Sequence, residues 1–169
     1  MDNLLGIEVG SDEACPSPTP GADQAPPDAE FAALLARTRT VAVVGLSPRP
    51  DRTSHQIGAW LQAHTPYDLY WVNPMAVGEE VLGLPVYATL ADLPVVPDLV
   101  DIFRRADDVP PVVDEAVALG CKAVFMQLGI ANDGAAAVAR AAGLDVVQNR
   151  CIKVEYRRLL PLIAAAKGA

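Results

Sequence analysis

Residue types that bind anions occur together in one short stretch of the chain. In order, the stretch contains Gly45, Ser47, Pro48, Arg52 and Ser54. Glycine permits a tight turn, and hydroxyl and guanidinium groups donate hydrogen bonds to phosphate oxygens. A β-branched apolar run precedes the stretch and a helical pattern follows it. This arrangement is typical of a loop between a strand and a helix that binds a phosphate group.

Similar residue types follow four other apolar runs. They are Asn73 and Pro74, then Phe103, Arg104 and Arg105, then Gln127 and Gly129, and finally Asn149, Arg150 and Cys151. Ligands of α/β sheets bind where the carboxyl ends of parallel strands meet, so we expect these side chains to lie along one edge. In a chain of net charge −8, arginines gathered at strand ends indicate an anion-binding site more strongly than arginines elsewhere.

The elements that must position these residues alternate along the chain. The apolar patterns predict strands at 40–44, 68–72, 85–87, 98–103, 122–127 and 144–147. They predict helices at 28–37, 53–64, 110–119, 132–142 and 153–167. Asp28 is expected to cap the first helix, Thr53 and Gln56 have the form of a capping box, and Pro161 is a candidate break in the last. The fold class is therefore α/β, with a single doubly wound, Rossmann-like parallel sheet of five to six strands and helices on both faces.

The composition of the chain indicates its domain organisation and the cellular environment that it suits. Residues 1–27 are rich in proline and small polar residues and are expected to form a flexible tail, with one domain at 28–169. The acidic charge argues against nucleic-acid and membrane partners. No signal peptide is visible, and no apolar run approaches the roughly 18 residues that span a bilayer. Three cysteines, an odd number without a C-x-x-C pair, suit a reducing compartment, so a soluble cytoplasmic protein is expected.

The dinucleotide fingerprint is incomplete in this sequence. The pattern G-x-G-x-x-G laid from Gly45 places Ser47 and Pro50 where the second and third glycines belong. The acid that holds a ribose hydroxyl in NAD enzymes is replaced by Asn73, which would not repel an additional phosphate. With Arg52 nearby, the site is suited to a nucleotide that carries more phosphate than NAD. NADP and coenzyme A (CoA) both satisfy this reasoning, and the residues alone do not separate them.

Taken in order, these motifs resemble those of the small single-domain CoA-binding proteins. The matching segments are Val43–Pro48, Arg52, Ser54, 72–74, Gly83, 85–87, 100–105, 127–130 and 149–152, and together they cover roughly residues 30–160. That family is similar to the N-terminal CoA-binding domain of the succinyl-CoA synthetase α subunit. The resemblance implies CoA at the strand ends, with phosphates facing Gly45, Ser47, Arg52 and Ser54. It also implies adenosine beside Asn73 and Pro74, and Phe103, Arg104, Gln127 and Gly129 along the remaining cleft.

The resemblance does not extend to catalysis. The synthetases use a phosphorylated histidine in a second domain, whereas His55 and His64 here both lie on the helix after the phosphate loop. No histidine or aspartate is placed by sequence to activate Cys151, and no metal site is evident. We therefore expect a noncatalytic module that binds CoA or an acyl-CoA. An NADP-type oxidoreductase and a CoA-ligase-like subunit that needs a partner chain are the alternatives, and a homodimer is left open.

Overall fold

The computed structural model describes residues 25–168, and a seven-stranded sheet forms its centre. The strands are β1 (Thr40–Val44), β2 (Asp68–Val72), β3 (Glu80–Val81), β4 (Leu84–Tyr87), β5 (Leu99–Ile102), β6 (Ala123–Gln127) and β7 (Asp145–Arg150). Their order across the sheet is β3-β4-β2-β1-β5-β6-β7, and every neighbouring pair is parallel except β3 and β4. Strand order therefore changes direction at β1, which is where ligands bind in open α/β sheets.

Five helices connect and flank these strands. They are α1 (Asp28–Arg37), α2 (Thr53–His64), α3 (Val109–Leu119), α4 (Asp133–Ala141) and α5 (Ile152–Gly168). Single 3₁₀ turns at Leu90–Asp92 and Ala106–Asp108 lie in the connections on either side of β5. The left-handed Gly120 ends α3 as its sequence position predicts, with φ of 78°.

Both faces of the sheet are covered, as predicted for a doubly wound fold. Val41 and Val43 of β1 pack in a core with side chains of α1, α2 and α5, including Phe31 and Leu61. Ala42 and Val44 point to the opposite core. That second core is completed by α3 and α4, with Val113 among its fully buried residues. Burial of each apolar side chain of this size stabilises the fold by about 1.5–3 kcal/mol. The strands that carry the site are therefore held in place by a hydrophobic core on each face of the sheet.

The six predicted strands correspond to the six parallel strands of the structure. The seventh strand, β3, was not predicted. It has two residues and pairs antiparallel with β4, so that Glu80 lies opposite Pro85 and Val81 opposite Leu84. A segment this short contains too few residues for an alternating pattern to be recognised.

Two predictions about helix ends are wrong. Asp28 does not cap α1, because Pro27 occupies the N-cap position and no side chain caps this helix. The Asp28 carboxylate instead accepts hydrogen bonds of 2.8 and 2.9 Å from the guanidinium of Arg158 on α5. The predicted capping box of α2 is absent too, as described below. Pro161 does not break α5, which continues through it to Gly168.

Most of the predicted N-terminal tail lies outside the residues that the structure describes. Of the tail at 1–27, only Ala25, Pro26 and Pro27 are described, and Cys15 lies outside the described residues as well.

The other two cysteines, Cys121 and Cys151, are both buried and form no disulfide. Among residues 25–168, no helix has the length and apolar character needed to cross a bilayer.

Candidate functional site

The carboxyl ends of four neighbouring strands bring most of the predicted site residues to one edge of the sheet. From β2 to β1, β5 and β6, the residues after each strand end are Asn73, Gly45, Phe103 and Leu128. Neighbouring strands lie about 4.8 Å apart, so these four ends span about 14 Å. The edge is therefore long enough for an extended ligand to contact several loops at once.

Gly45 is where the loops after β1 and β5 touch. Its φ is +90°, and its N–H donates a 2.7 Å hydrogen bond to the Val72 carbonyl. A Cβ at this position would lie 2.3 Å from the carbonyl oxygen of Phe103, which is far inside van der Waals contact. Only glycine therefore permits both the left-handed turn and the close approach of the β5 loop.

The loop after Gly45 is held by its own polar groups. The Ser47 N–H donates to Ser54 Oγ at 3.0 Å, and the Arg49 N–H donates to Ser47 Oγ at 3.1 Å. His55 Nδ1 lies 3.0 Å from the Ser47 carbonyl oxygen, which can only accept, so Nδ1 carries the proton. Ser54 is buried, so its hydroxyl braces the loop from beneath. Pro48 is exposed at the loop surface.

The first turn of α2 has no side-chain cap. Arg52 occupies the N-cap position, where a guanidinium cannot accept hydrogen bonds from the first backbone N–H groups. Thr53 is already the first helical residue, and Gln56 Nε2 reaches the Pro50 carbonyl at 3.4 Å instead of closing a capping box. No acidic residue lies in this turn. The positive end of the helix dipole is thus presented together with an arginine.

Asn73 connects the loop after β2 to the loop after β1. Its Nδ2 donates to the Leu46 carbonyl at 2.9 Å, and its Oδ1 accepts from the Met75 N–H at 3.0 Å. Both ends of the amide are therefore engaged within the protein. Pro74 and Met75 are exposed beside it, with Met75 87% exposed. This corner of the edge offers an apolar surface on a neutral, rigid support.

The arginines of the edge divide into two groups. Arg49 is paired with Asp51, and Arg105 with Asp108, both at 3.0 Å on the surface. Arg52 and Arg104 have no ion-pair partner within residues 25–168. Of the adjacent pair after β5, Arg104 is half-buried and Arg105 is exposed, as expected if only one turns toward the cleft.

Gln127 does not line an open cleft, contrary to the expectation from sequence. Its side chain is 3% exposed, and its Nε2 donates to Asp101 Oδ1 at 2.5 Å. Gln127 Oε1 accepts a longer hydrogen bond, 3.4 Å, from the Ile152 N–H at the start of α5. The residue therefore ties β6 to β5 and to α5 below the edge. Phe103, also predicted to line the cleft, is half-buried against the core on the α5 side.

Asp101 was missed by the sequence analysis. It is fully buried on β5, in register between Val43 and Phe125. Burial raises the pKa of its carboxyl to about 8, against the opposing hydrogen bond from Gln127, and its Oδ2 has no partner in the described part of the chain. The signal was an aspartate inside an otherwise apolar strand. At neutral pH the carboxyl is mostly protonated.

The loop after β6 is fastened by β7. The N–H of Gly129, a residue with φ of 85°, donates to Asn149 Oδ1 at 2.7 Å. The Asn132 N–H donates to Gln148 Oε1 at 2.7 Å. Gly129 was predicted to contact ligand, but its N–H is already occupied. No group of histidine, cysteine or acidic side chains suited to a metal ion occurs among residues 25–168.

Comparisons with known proteins agree with this geometry. A family model described as a CoA binding domain matches residues 39–157. The chain is 35% identical over 133 residues to an uncharacterised Bacillus subtilis protein, YneT, a match covering 79% of this chain and 96% of that protein. Over 86% of this chain and 97% of the other, it superposes on a hypothetical protein of Pyrococcus horikoshii OT3, with 35% identity and a TM-score of 0.76.

A larger enzyme contains a similar unit. A dinucleotide-forming acetyl-coenzyme A synthetase of Ca. Korarchaeum cryptofilum, solved with phosphate and ADP, is 26% identical with a TM-score of 0.56. The match covers 63% of this chain but 25% of the synthetase. The similarity is thus confined to one part of that protein.

Proposed function

This chain belongs to the CoA-binding domain family, and from that premise we propose that it binds coenzyme A along the carboxyl edge of its sheet. The observation that carries the proposal is the uncapped first turn of α2, with Arg52 at its N-cap and no acidic residue within the turn; the preceding Asp51 is paired with Arg49. Unsatisfied N–H groups, a helix dipole and a guanidinium all favour an anion at the same point. A phosphate group supplies the hydrogen-bond acceptors that this turn lacks.

The phosphates are assigned to the β1–α2 loop and the start of α2. The loop is preformed by the hydrogen bonds among Ser47, Ser54 and His55, so binding does not have to order it. Arg52 is the candidate partner for the ribose phosphate of CoA. Arg104, the other unpaired arginine of the edge, would contact an anionic group from the β5 side.

The adenosine end is assigned to the corner formed by Asn73, Pro74 and Met75. Asn73 is neutral and fixed by Leu46, so it does not repel a phosphorylated ribose. The exposed apolar surface of Pro74 and Met75 is suited to contact a base. The same argument disfavours NAD as the ligand, since that cofactor's ribose is held by an acid in this position.

Binding without chemistry is the proposed role of the described domain. The candidate catalytic groups near the edge are otherwise engaged: His55 Nδ1 is bound to Ser47, and Cys151 is buried at 4% exposure. A nucleophile needs exposure and a neighbouring base. The domain would therefore carry or sense CoA or an acyl-CoA without reacting with it.

A second candidate is a CoA-ligase-like subunit that acts with a partner chain. It is favoured by the similarity to one part of the acetyl-coenzyme A synthetase, whose remaining length has no counterpart in the match. In that case the bound CoA would receive an acyl group at a site completed by another protein. A partner chain that co-purifies and confers CoA-dependent acyl transfer would support this candidate over a binding module.

A thermal-shift comparison of CoA, acetyl-CoA, NADP and NAD tests the proposal. A ligand at about 100 times its Kd stabilises the native state by about 2.7 kcal/mol, so Tm should rise by several degrees. We expect CoA or acetyl-CoA to produce that rise and NAD to produce none. A rise with NADP but not with CoA would instead identify an NADP-dependent protein.

A further inference from the structure

We propose that Asn149 is a positioning residue for the distal half of the ligand cleft, the half built by the loops after β5 and β6. The inference rests on the proposed function, because it concerns the part of CoA that extends beyond the phosphates. Asn149 acts through the backbone of another loop and does not itself contact the ligand. Three observations carry this assignment: a bulge in β7, the backbone conformation of Asn149, and its hydrogen bonds.

The first observation is the irregular pairing at the end of the sheet. Phe125 of β6 lies opposite Val147 of β7, but Gln127 lies opposite Arg150. One additional residue is therefore accommodated in β7 over this interval. Bulges re-aim side chains at sheet edges and next to binding sites. Here the bulge contains Gln148 and Asn149, both buried and both polar.

The second observation is strain in the backbone of Asn149. Its φ is +53°, in the left-handed region that non-glycine residues rarely occupy, although asparagine tolerates it better than most. Residues are held in such conformations when their surroundings over-determine them, and they cluster at functional sites. An asparagine that only filled space at this position would gain nothing over glycine. Its side chain is the reason for its presence.

The third observation is what the side chain holds. Asn149 Oδ1 accepts from the Gly129 N–H at 2.7 Å, and its own N–H donates to the Ile130 carbonyl at 3.1 Å. The Ile130 N–H in turn donates to the Gln127 carbonyl at 2.8 Å. The tight turn from Gln127 to Ile130 is thus clamped from both sides by a single residue of β7.

The clamp extends to the loop that carries Arg104. Gln148 Oε1 accepts from the Asn132 N–H, and Asn132 Nδ2 donates to the Ala106 carbonyl at 2.9 Å. The loops after β5 and β6 are therefore fixed to each other and to the bulge. Because the phosphates are assigned to β1 and adenosine to the β2 corner, the pantetheine arm runs the other way, across β5 and β6. That arm would lie against the clamped loops.

The test compares three variants with the wild-type protein. Asn149→Gly removes the acceptor and relieves the strained φ, so the variant should fold. Asn149→Asp keeps an oxygen that accepts from Gly129. CoA and adenosine 3′,5′-bisphosphate, which lacks pantetheine, are titrated by calorimetry. We expect Asn149→Gly to weaken CoA about fivefold to tenfold while leaving the bisphosphate unchanged, and Asn149→Asp to restore CoA affinity. Gln148→Met, which removes the acceptor for Asn132, should weaken CoA in the same selective way.

Amide exchange supplies a readout that needs no ligand. In the free protein, the Gly129 amide should exchange at least about tenfold faster in Asn149→Gly than in the wild type or Asn149→Asp, with β1 amides unchanged. Equal losses of CoA and bisphosphate affinity, or an unaltered Gly129 exchange rate, would overturn the proposal. Failure of the proposed function is a different result, because the wild-type protein would then bind neither compound.

Discussion

Helices α2 and α4 both follow strands of the parallel sheet and begin at its carboxyl edge, but their first turns are built differently. In α4, Asn132 occupies the N-cap and its Oδ1 accepts from the Ala135 N–H at 2.9 Å. In α2 the equivalent position is Arg52, which caps nothing. In α4 a side chain of the chain itself accepts from a first-turn N–H, whereas the first N–H groups of α2 have no side-chain acceptor. The CoA proposed for this edge would therefore meet open donors at one end and a preformed shape at the other.

Two further helices support the contrast. α3 has prolines in its first turn, which lack N–H groups and so leave fewer donors unsatisfied. α1 has no side-chain cap either, but Asp28 and Glu30 in its first turn would repel an anion. Of these four helices, α2 alone combines an open N-terminus with a favourable charge.

The contact that joins the two ends of the edge is the most sensitive to substitution. Gly45→Ala should lower the free energy of unfolding by about 4 kcal/mol or more, because the new Cβ meets the Phe103 carbonyl at 2.3 Å in a left-handed turn. Gly129→Ala is the matched control, with φ of 85° and no atom within 4 Å of the added carbon. It should lose only about 1–2 kcal/mol. Urea unfolding measures both, and equal losses would show that strain alone determines the effect.

Asp101, below the fixed end, should make stability depend on pH. Because burial raises its pKa to about 8, the folded state retains a proton that the unfolded chain releases near its ordinary value of 3.8. Its contribution to stability is therefore greatest in acid and falls as pH rises toward about 8. Asp101→Asn should remove this fall, gaining on the order of 3 kcal/mol over wild type at about pH 8 relative to about pH 5.

Unfolding free energies measured across that pH range test this prediction. Asp68→Asn, at an exposed position of β2, is the control and should follow the wild-type profile. A parallel pH profile for Asp101→Asn and wild type would mean that Asp101 is ionised in the fold at neutral pH.

Arg52→Ala should weaken CoA binding by about 1.5–3 kcal/mol, since a charge-assisted hydrogen bond is lost at the open end. If Arg52 holds the ribose phosphate, the loss for dephospho-CoA should be much smaller. Arg49→Ala is the control, because Arg49 is already paired with Asp51 on the surface. Titration calorimetry measures all of these affinities. Equal losses of affinity for CoA and dephospho-CoA would show that Arg52 contacts the pyrophosphate and not the ribose phosphate.

The smallest change in stability is expected when the open end is converted into a closed one. Arg52→Asp provides an N-cap acceptor and should raise the unfolding free energy of the ligand-free protein by about 1 kcal/mol while abolishing CoA binding. Asn132→Ala removes the cap of α4 and should lower the free energy of unfolding by about 1 kcal/mol. Chemical denaturation without ligand measures both changes. If Arg52→Asp brings no gain, the α2 N–H groups are already satisfied.

Sequence reasoning succeeded where the residues themselves carry the pattern. The parallel strands were found because β-branched runs such as Thr40–Val44 are buried on both faces. The strand-end residues were found because topology alone brings the carboxyl ends together. The family likeness followed from the same motifs, and the family model covers nearly the same part of the chain.

Sequence reasoning failed where the hydrogen-bond partner of a side chain depends on the three-dimensional packing. Thr53 and Gln56 fit a capping box, but the helix begins one residue too early for Thr53 to be the cap. Gln127 stands at a strand end, yet its side chain turns inward to the buried carboxyl of Asp101 on the preceding strand, 26 residues earlier in the chain. Asn149 was noted only as part of a motif, because a bulge cannot be seen without the register of β6 and β7.

The bulge in β7 has a consequence at the outer border of the sheet. β7 is the last strand in the order, and a regular border strand offers unpaired N–H and carbonyl groups on which another chain could assemble. An irregular backbone interrupts that template. At the opposite border, β3 is only two residues long. Both margins are therefore poor templates for intermolecular strand pairing, so this fold should resist aggregation through its sheet borders even at high protein concentration.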